Sequence, residues 1–272
     1  MFFVRRKVLT HPLVPLPRGK LAQTPRLRGE TRMRSRREGC VKTYMDYIIN
    51  GFVEAFRLIF SLDRDVFSAV FISLRVSLIA IILSAIISLP SGFIIATRNF
   101  TGKRLVITIL NTLMAVPTVV VGLLVYTFIS RRGPLGSLNL LYTPTAMIIG
   151  QFILATPILT ALTISAVHAV DERIAPTALA LGANKRQLAY TVFLEVRFGL
   201  LAAVISGFGR IVGEVGAAMI LGGNIRGVTR TMSTAIALQT NMGEFEVGIA
   251  LGIILLIVAF LINILFHYFQ QR

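Results

Sequence analysis

The chain has 272 residues, of which 55 % are hydrophobic and only 15 % charged, and its mean hydropathy is +0.77. This composition excludes an ordinary soluble domain and points to an all-α polytopic membrane protein whose solvent is the lipid bilayer. Lys and Arg outnumber Asp and Glu 28 to 12, but that excess calls for no nucleic-acid partner, and the single Cys40 excludes an intrachain disulfide framework and the usual cysteine metal spacings.

Residues 1–44 stand apart from the rest, holding twelve of the Lys and Arg, two Glu, and Pro12, Pro15, Pro17 and Pro25. They lack the continuous apolar core of a signal peptide. Three origins are consistent with such a basic extension. It is disordered or untranslated sequence ahead of a true start at Met45, an organellar targeting sequence, or a tail held near anionic lipid. Segment 45–65 differs again. Residues 47–62 carry Glu54 and Arg57 and are too short for the roughly 20 apolar residues of a spanning helix, so the expectation is an amphipathic helix lying in the membrane interface.

Residues 66–272 form the transmembrane part. The first span is expected over residues 76–97, beginning near Val66 with Arg75 snorkelling towards an interface. The second covers residues 105–130. Within it Pro117 lacks an amide donor and is placed to kink the helix. Val119, Val120 and Val121 are stiff and apolar, suited to a gate that closes by excluding water, although contact with lipid or a neighbouring helix explains them equally. The third span lies in the middle of residues 133–170 and ends at His168, a boundary histidine with interfacial surroundings.

Residues 171–197 read DERIAPTALALGANKRQLAYTVFLEVR. Residues 174–181 favour a short helix with Pro176 near its start, Gly182 is placed for a turn, and residues 185–194 resume an amphipathic pattern in Leu188, Val192 and Leu194. A helical hairpin of this kind between two spans suits either a docking element for another protein or a solvated connector.

The fourth span, residues 198–221, contains GRIVGEVGAAMI. Arg210 and Glu214 are one helical turn apart, so both fall on one face. A charge at bilayer depth costs about 2.5 to 3.5 kcal/mol on insertion scales, which makes this an interior face. It serves either as a structural ion pair or as part of an anion path. Gly209 and Gly213 give a small-xxx-small pattern for close helix approach, as do Gly248 and Gly252 in the fifth span, from Val247 to the C-terminus.

Five spans put the chain ends on opposite sides. Placing loops 98–104 and 171–197 in the cytoplasm puts Arg98, Lys103, Arg104, Arg173, Lys185, Arg186 and Arg197 inside, against Arg131, Arg132, Arg226 and Arg230 outside. The outer arginines Arg226 and Arg230 meet either acidic groups of a partner or solvent.

Several motifs in order carry a family resemblance. The loop around Gly182 resembles the coupling loop of permease subunits of bacterial and archaeal ABC importers, with Ala178, Gly182, Ala183, Val192 and Leu194 at matching positions and Pro176, Thr177 and Glu195 departing from the pattern. The runs AVPTVVVGLLVYTFISRRGPLG and GRIVGEVGAAMI resemble the permeases for molybdate, sulfate and tungstate. MILGGNIRGVTRTMSTAIALQT and YTPTAMIIGQ look most like the tungstate branch. The resemblance implies a five-span type I importer core working as a homodimer, with two cytoplasmic ATP-binding subunits and an external oxyanion-binding protein. No G-x-x-x-x-G-K-S/T phosphate loop occurs in the sequence, so ATP is expected on the partner subunit and no cofactor or metal on this chain. An ion-coupled secondary transporter would need a proton or ion relay. A membrane enzyme would need a polar cluster that His11, His168 and His267 do not supply.

Overall fold

The computed structural model describes residues 47–61, 63–171 and 173–270. The expectation for residues 1–44 therefore falls outside the described residues.

Helix α1 covers residues 47–60. It lays a narrow face on the last helix of the chain: Gly51 abuts Ile249, Ala55 is buried, and the Asn50 amide donates to Glu246 Oε1 at 2.9 Å. Its other faces expose Phe52, Phe56 and Phe60. Helix α2, Arg64–Thr97, starts where the Asp63 carboxylate accepts the amides of Asp65 and Val66. Its 34 residues make it roughly 50 Å long, more than a hydrocarbon core requires.

Helix α5, Pro144–His168, packs along α2. Val76 clusters with Met147, Ser88 Oγ donates to the Thr156 carbonyl at 3.0 Å, and Gly92 lies against Thr163. The contacts advance together along both helices, so α2 and α5 run in the same direction. Along this seam the hydroxyls of Ser84, Ser88, Thr156 and Thr160 find hydrogen-bond partners that lipid could not supply.

The expected single span over residues 105–130 is two helices, α3 (Lys103–Ala115) and α4 (Thr118–Ile129), bent by 95°. Pro117 has no N–H to continue the ladder and its ring pushes Val116 into an extended conformation, with ψ 130. The outcome is a break, sharper than the expected kink. At the far end of α4 the Tyr142 amide donates to the Leu221 carbonyl at 2.9 Å.

The hairpin also differs from expectation. Its first arm is α6, Ile174–Ala180, and Gly182 turns the chain at φ +82. The second arm is no separate helix; it is the start of α7, Lys185–Val212. Asn184 and Gln187 form a capping box there, and no breaker stands between the amphipathic stretch and the apolar run, so one helix carries both. The fourth apolar run, by contrast, is interrupted: α7 stops at Val212 and α8, Gly216–Gly222, follows. After a loop come α9, Met232–Met242, and α10, Phe245–Gln270.

Among the described residues four helices are long and apolar enough to cross a membrane, or five if the bent α3–α4 pair is one broken span. One end of the bundle gathers Asp65, Arg226, Tyr142 and Leu221. The other gathers the ends of α2 and α5 with α6 and the start of α7. Lipid-facing side chains such as Ile82, Ile86, Leu256 and Phe260 are exposed on α2 and α10.

Candidate functional site

The two helix breaks meet. A Cβ on Gly122 of α4 would lie 2.8 Å from Ala217 Cα, and one on Gly216 would lie 2.7 Å from Val119 Cγ2. Glycine at both positions is thus what lets α4 and α8 touch backbone to backbone.

Glu214 stands in the second break. Its amide donates to the Ile211 carbonyl at 3.0 Å, its Oε1 accepts the Ala217 amide at 3.2 Å, and its Oε2 accepts Arg210 Nη1 at 3.3 Å. The carboxylate supplies an acceptor for an amide at the start of α8 that lacks a helical partner. The expected pairing of Arg210 and Glu214 is present. The expectation of one continuous helical face is corrected, because Glu214 lies beyond the end of α7. The partners also differ in setting: Glu214 is 4 % exposed and the Arg210 side chain 53 %.

Around this pair Leu113, Met114, Val116 and Thr118 of the first break and Leu154 and Ile158 of α5 close a cavity of about 20 Å³. That is room for about one water. Pro117, Val119 and Val120 are exposed beside it and Val121 is half-buried. Below the break, α3 presents Arg104, Thr108 and Asn111, all exposed, at spacings that share one helix face. Sequence reading passed over this stripe because the surrounding run is apolar.

The small-residue expectation holds inside the chain only at Gly248, where a Cβ would lie 3.2 Å from Thr240 Oγ1. At Gly209, Gly213 and Gly252 nothing among the described residues lies within 4 Å. Gly209 and Gly213 are exposed, at the last turn of α7 and just past its end, and Gly252 is half-buried on α10.

At the hairpin end, Gly182 is exposed, Ala178, Ala183 and Val192 are half-buried, and Leu194 is 40 % exposed. Leu181, absent from the sequence-level candidates, is 85 % exposed, the kind of apolar tip a protein partner covers. Between α6, α7 and the ends of α2 and α5 runs a groove of about 570 Å³, lined by Phe93, Arg98, His168 and Val192 among others. At the opposite end Arg226 is engaged within the chain, donating through Nε to Asp65 Oδ1 at 2.7 Å and through Nη2 to Oδ2. Hydrogen bonding to Asp65 raises the Arg226 pKa above its ordinary value. No group of three or more His, Cys, Asp or Glu suited to a metal occurs among the described residues.

Residues 88–272 match the family described as the binding-protein-dependent transport system inner membrane component. The chain belongs to this family. It is therefore a membrane permease subunit of an ABC transport system, a transport component rather than an enzyme, working with an ATP-binding subunit and a substrate-binding protein. The permease is 42 % identical over 228 residues to the tungstate uptake system permease protein TupB of Peptoclostridium acidaminophilum, covering 84 % of this chain and 100 % of that protein. It is 43 % identical over 230 residues to TupB of Campylobacter jejuni, covering 85 % and 96 %. Similarity to the molybdenum transport system permease protein ModB of Escherichia coli is lower, 27 % over 207 residues, covering 70 % and 90 %.

Proposed function

We propose that this permease carries tungstate across the cytoplasmic membrane by alternating access, driven by ATP bound and hydrolysed on a separate subunit. The observation that carries the reading is the identity of 42 and 43 % over nearly the whole length of two tungstate permeases, against 27 % for a molybdenum permease.

Two copies of the chain form the pathway, meeting through faces that a single chain leaves open, such as the one bearing Gly209 and Gly213. The hairpin end is cytoplasmic, in keeping with its Lys and Arg. There Ala178, Gly182, Ala183, Leu181 and Leu194 meet the ATP-binding subunit, with Val192 half-buried behind them. Because the second arm of the hairpin is continuous with α7, a push on Gly182 is delivered along a rigid helix to Arg210 and the second break, as in a rigid-body switch. The gate is the junction of Pro117, Val119, Val120 and Val121 with Arg210 and Glu214. Irregular backbone at membrane depth is tolerated where it lines a cavity or is covered by protein, and the polar stripe of α3 extends from this junction towards the cytoplasm. Helix α1 lies along the membrane interface with Phe52, Phe56 and Phe60 in lipid.

Uptake of radiolabelled tungstate by cells expressing the permease with its ATP-binding subunit and binding protein tests the substrate. Excess unlabelled tungstate should suppress the signal far more strongly than equal molybdate or sulfate. Equal or stronger suppression by either of the others would reassign the cargo.

A further inference from the structure

We infer that Glu214 keeps the oxyanion path from trapping its own substrate, by competing with the passing dianion for Arg210. The inference rests on the proposal that the junction of the two breaks lies on the path, and it gives the glutamate a part in transport.

Among the described residues Arg210 is the only cation and Glu214 the only anion lining the junction. The remaining lining includes Leu113, Met114, Val116, Leu154 and Ile158. An arginine alone in such a setting would hold a tetrahedral dianion through paired charge-assisted hydrogen bonds, strengthened by the low dielectric of the walls. Selection of cargo needs tight binding, but a path needs release, since a site that binds too well stops conduction. A carboxylate beside the arginine brings the local charge to zero and leaves the dianion a weak hold.

The geometry divides the labour between the two side chains. Glu214 is buried and tied by its second oxygen to the Ala217 amide, so it stays in place. Arg210 reaches it through one N–H at 3.3 Å while its side chain is 53 % exposed, which leaves further guanidinium donors to turn towards a passing anion.

The test uses the complex of the permease with its ATP-binding subunit in lipid nanodiscs, without the binding protein, equilibrated with radiolabelled tungstate. Glu214→Gln conserves volume and an oxygen for the Ala217 amide. It should retain tungstate at concentrations at least tenfold below any at which the wild type does, and should slow uptake by the complete system at equal amounts of assembled complex. Adding Arg210→Gln to it should abolish the retention. If Glu214→Gln does not assemble, Glu214→Asp, whose shorter side chain weakens the grip on Arg210, should show intermediate retention. Absence of retention in an assembled variant, with normal tungstate uptake by the wild type, overturns the inference alone. A wild type that takes up no tungstate overturns the underlying reading, and the inference with it.

Discussion

Gly216 and Val119 are in contact so close that a single methyl on the glycine would come 2.7 Å from Val119 Cγ2, with Thr118 Oγ1 at 2.9 Å. The first residue of α8 is thereby held against the first turn of α4, and a movement of either break is felt by the other.

Gly216→Ala should therefore destabilise the permease by about 1–3 kcal/mol, the usual cost of forcing extra volume into a packed site. Val119→Ala removes the nearest obstructing atom and should recover part of that loss in the double variant. Thermal unfolding of the four proteins in one detergent gives the coupling, and contacting residues should be non-additive by more than about 0.5 kcal/mol. Simple additivity would mean that the two breaks are not in contact.

Gly182 makes a different demand. Its φ is +82 and no atom of the described residues lies within 4 Å of the position a Cβ would take, so a side chain there meets backbone strain before any obstacle among them. Gly182→Val should distort the turn at a cost of roughly 1–2 kcal/mol or more, given the β-branch, whereas Gly182→Asn, which tolerates this conformation, should be nearly silent. With both variants in the membrane at equal levels, uptake should fall steeply for valine and little for asparagine. Equal loss in both would indicate that any side chain there collides with the ATP-binding subunit, and that the strain is secondary.

The open glycines on α7 make a prediction about assembly. Gly209→Ala places a methyl in empty space within a helix, so the single chain should be unharmed or gain about 0.5–1 kcal/mol. Gly209→Leu should leave the chain folded but separate the two proposed copies. Mass measurement of the purified permease in nanodiscs would detect the change, and a leucine variant that remains paired would move the dimer contact elsewhere.

Much of the fold was readable from hydropathy, because an apolar run of about 20 residues has few alternatives to a spanning helix. The interruptions were less so. Pro117 announced a disturbance through its missing N–H, but the bend of 95° depends on how α4 seats against α8, which no local pattern encodes. The break after Val212 carries no proline; Gly213 and Gly216 flank it, and the Glu214 carboxylate, serving the Ala217 amide, is its local signature. Spacing did bring Arg210 and Glu214 together, since a turn-like Glu214 amide bond to Ile211 preserves the i, i+4 approach. The Asp65–Arg226 pair, separated by 161 residues, had no signal in spacing at all. Small-xxx-small patterns told only that a helix could approach, and at Gly209, Gly213 and Gly252 none of the described residues does.

The Asp65–Arg226 contact is exposed on both sides, so it should contribute little to stability and less as salt rises. Asp65→Asn should lower the thermal midpoint slightly at low ionic strength and not at all at high. The exchanged pair, Asp65→Arg with Arg226→Asp, should restore it. A large, salt-independent loss would show that the contact is acting through packing.

The most direct test of the account is accumulation of tungstate in proteoliposomes holding the permease with its ATP-binding subunit, with tungstate-loaded binding protein on the outer side and nucleotide on the hairpin side. Accumulation that requires hydrolysable ATP, stops with a non-hydrolysable analogue, and ignores imposed proton and sodium gradients is the predicted result. Accumulation driven by an ion gradient in the absence of ATP would contradict it, and would make Arg210 and Glu214 candidates for ion coupling instead of a gate.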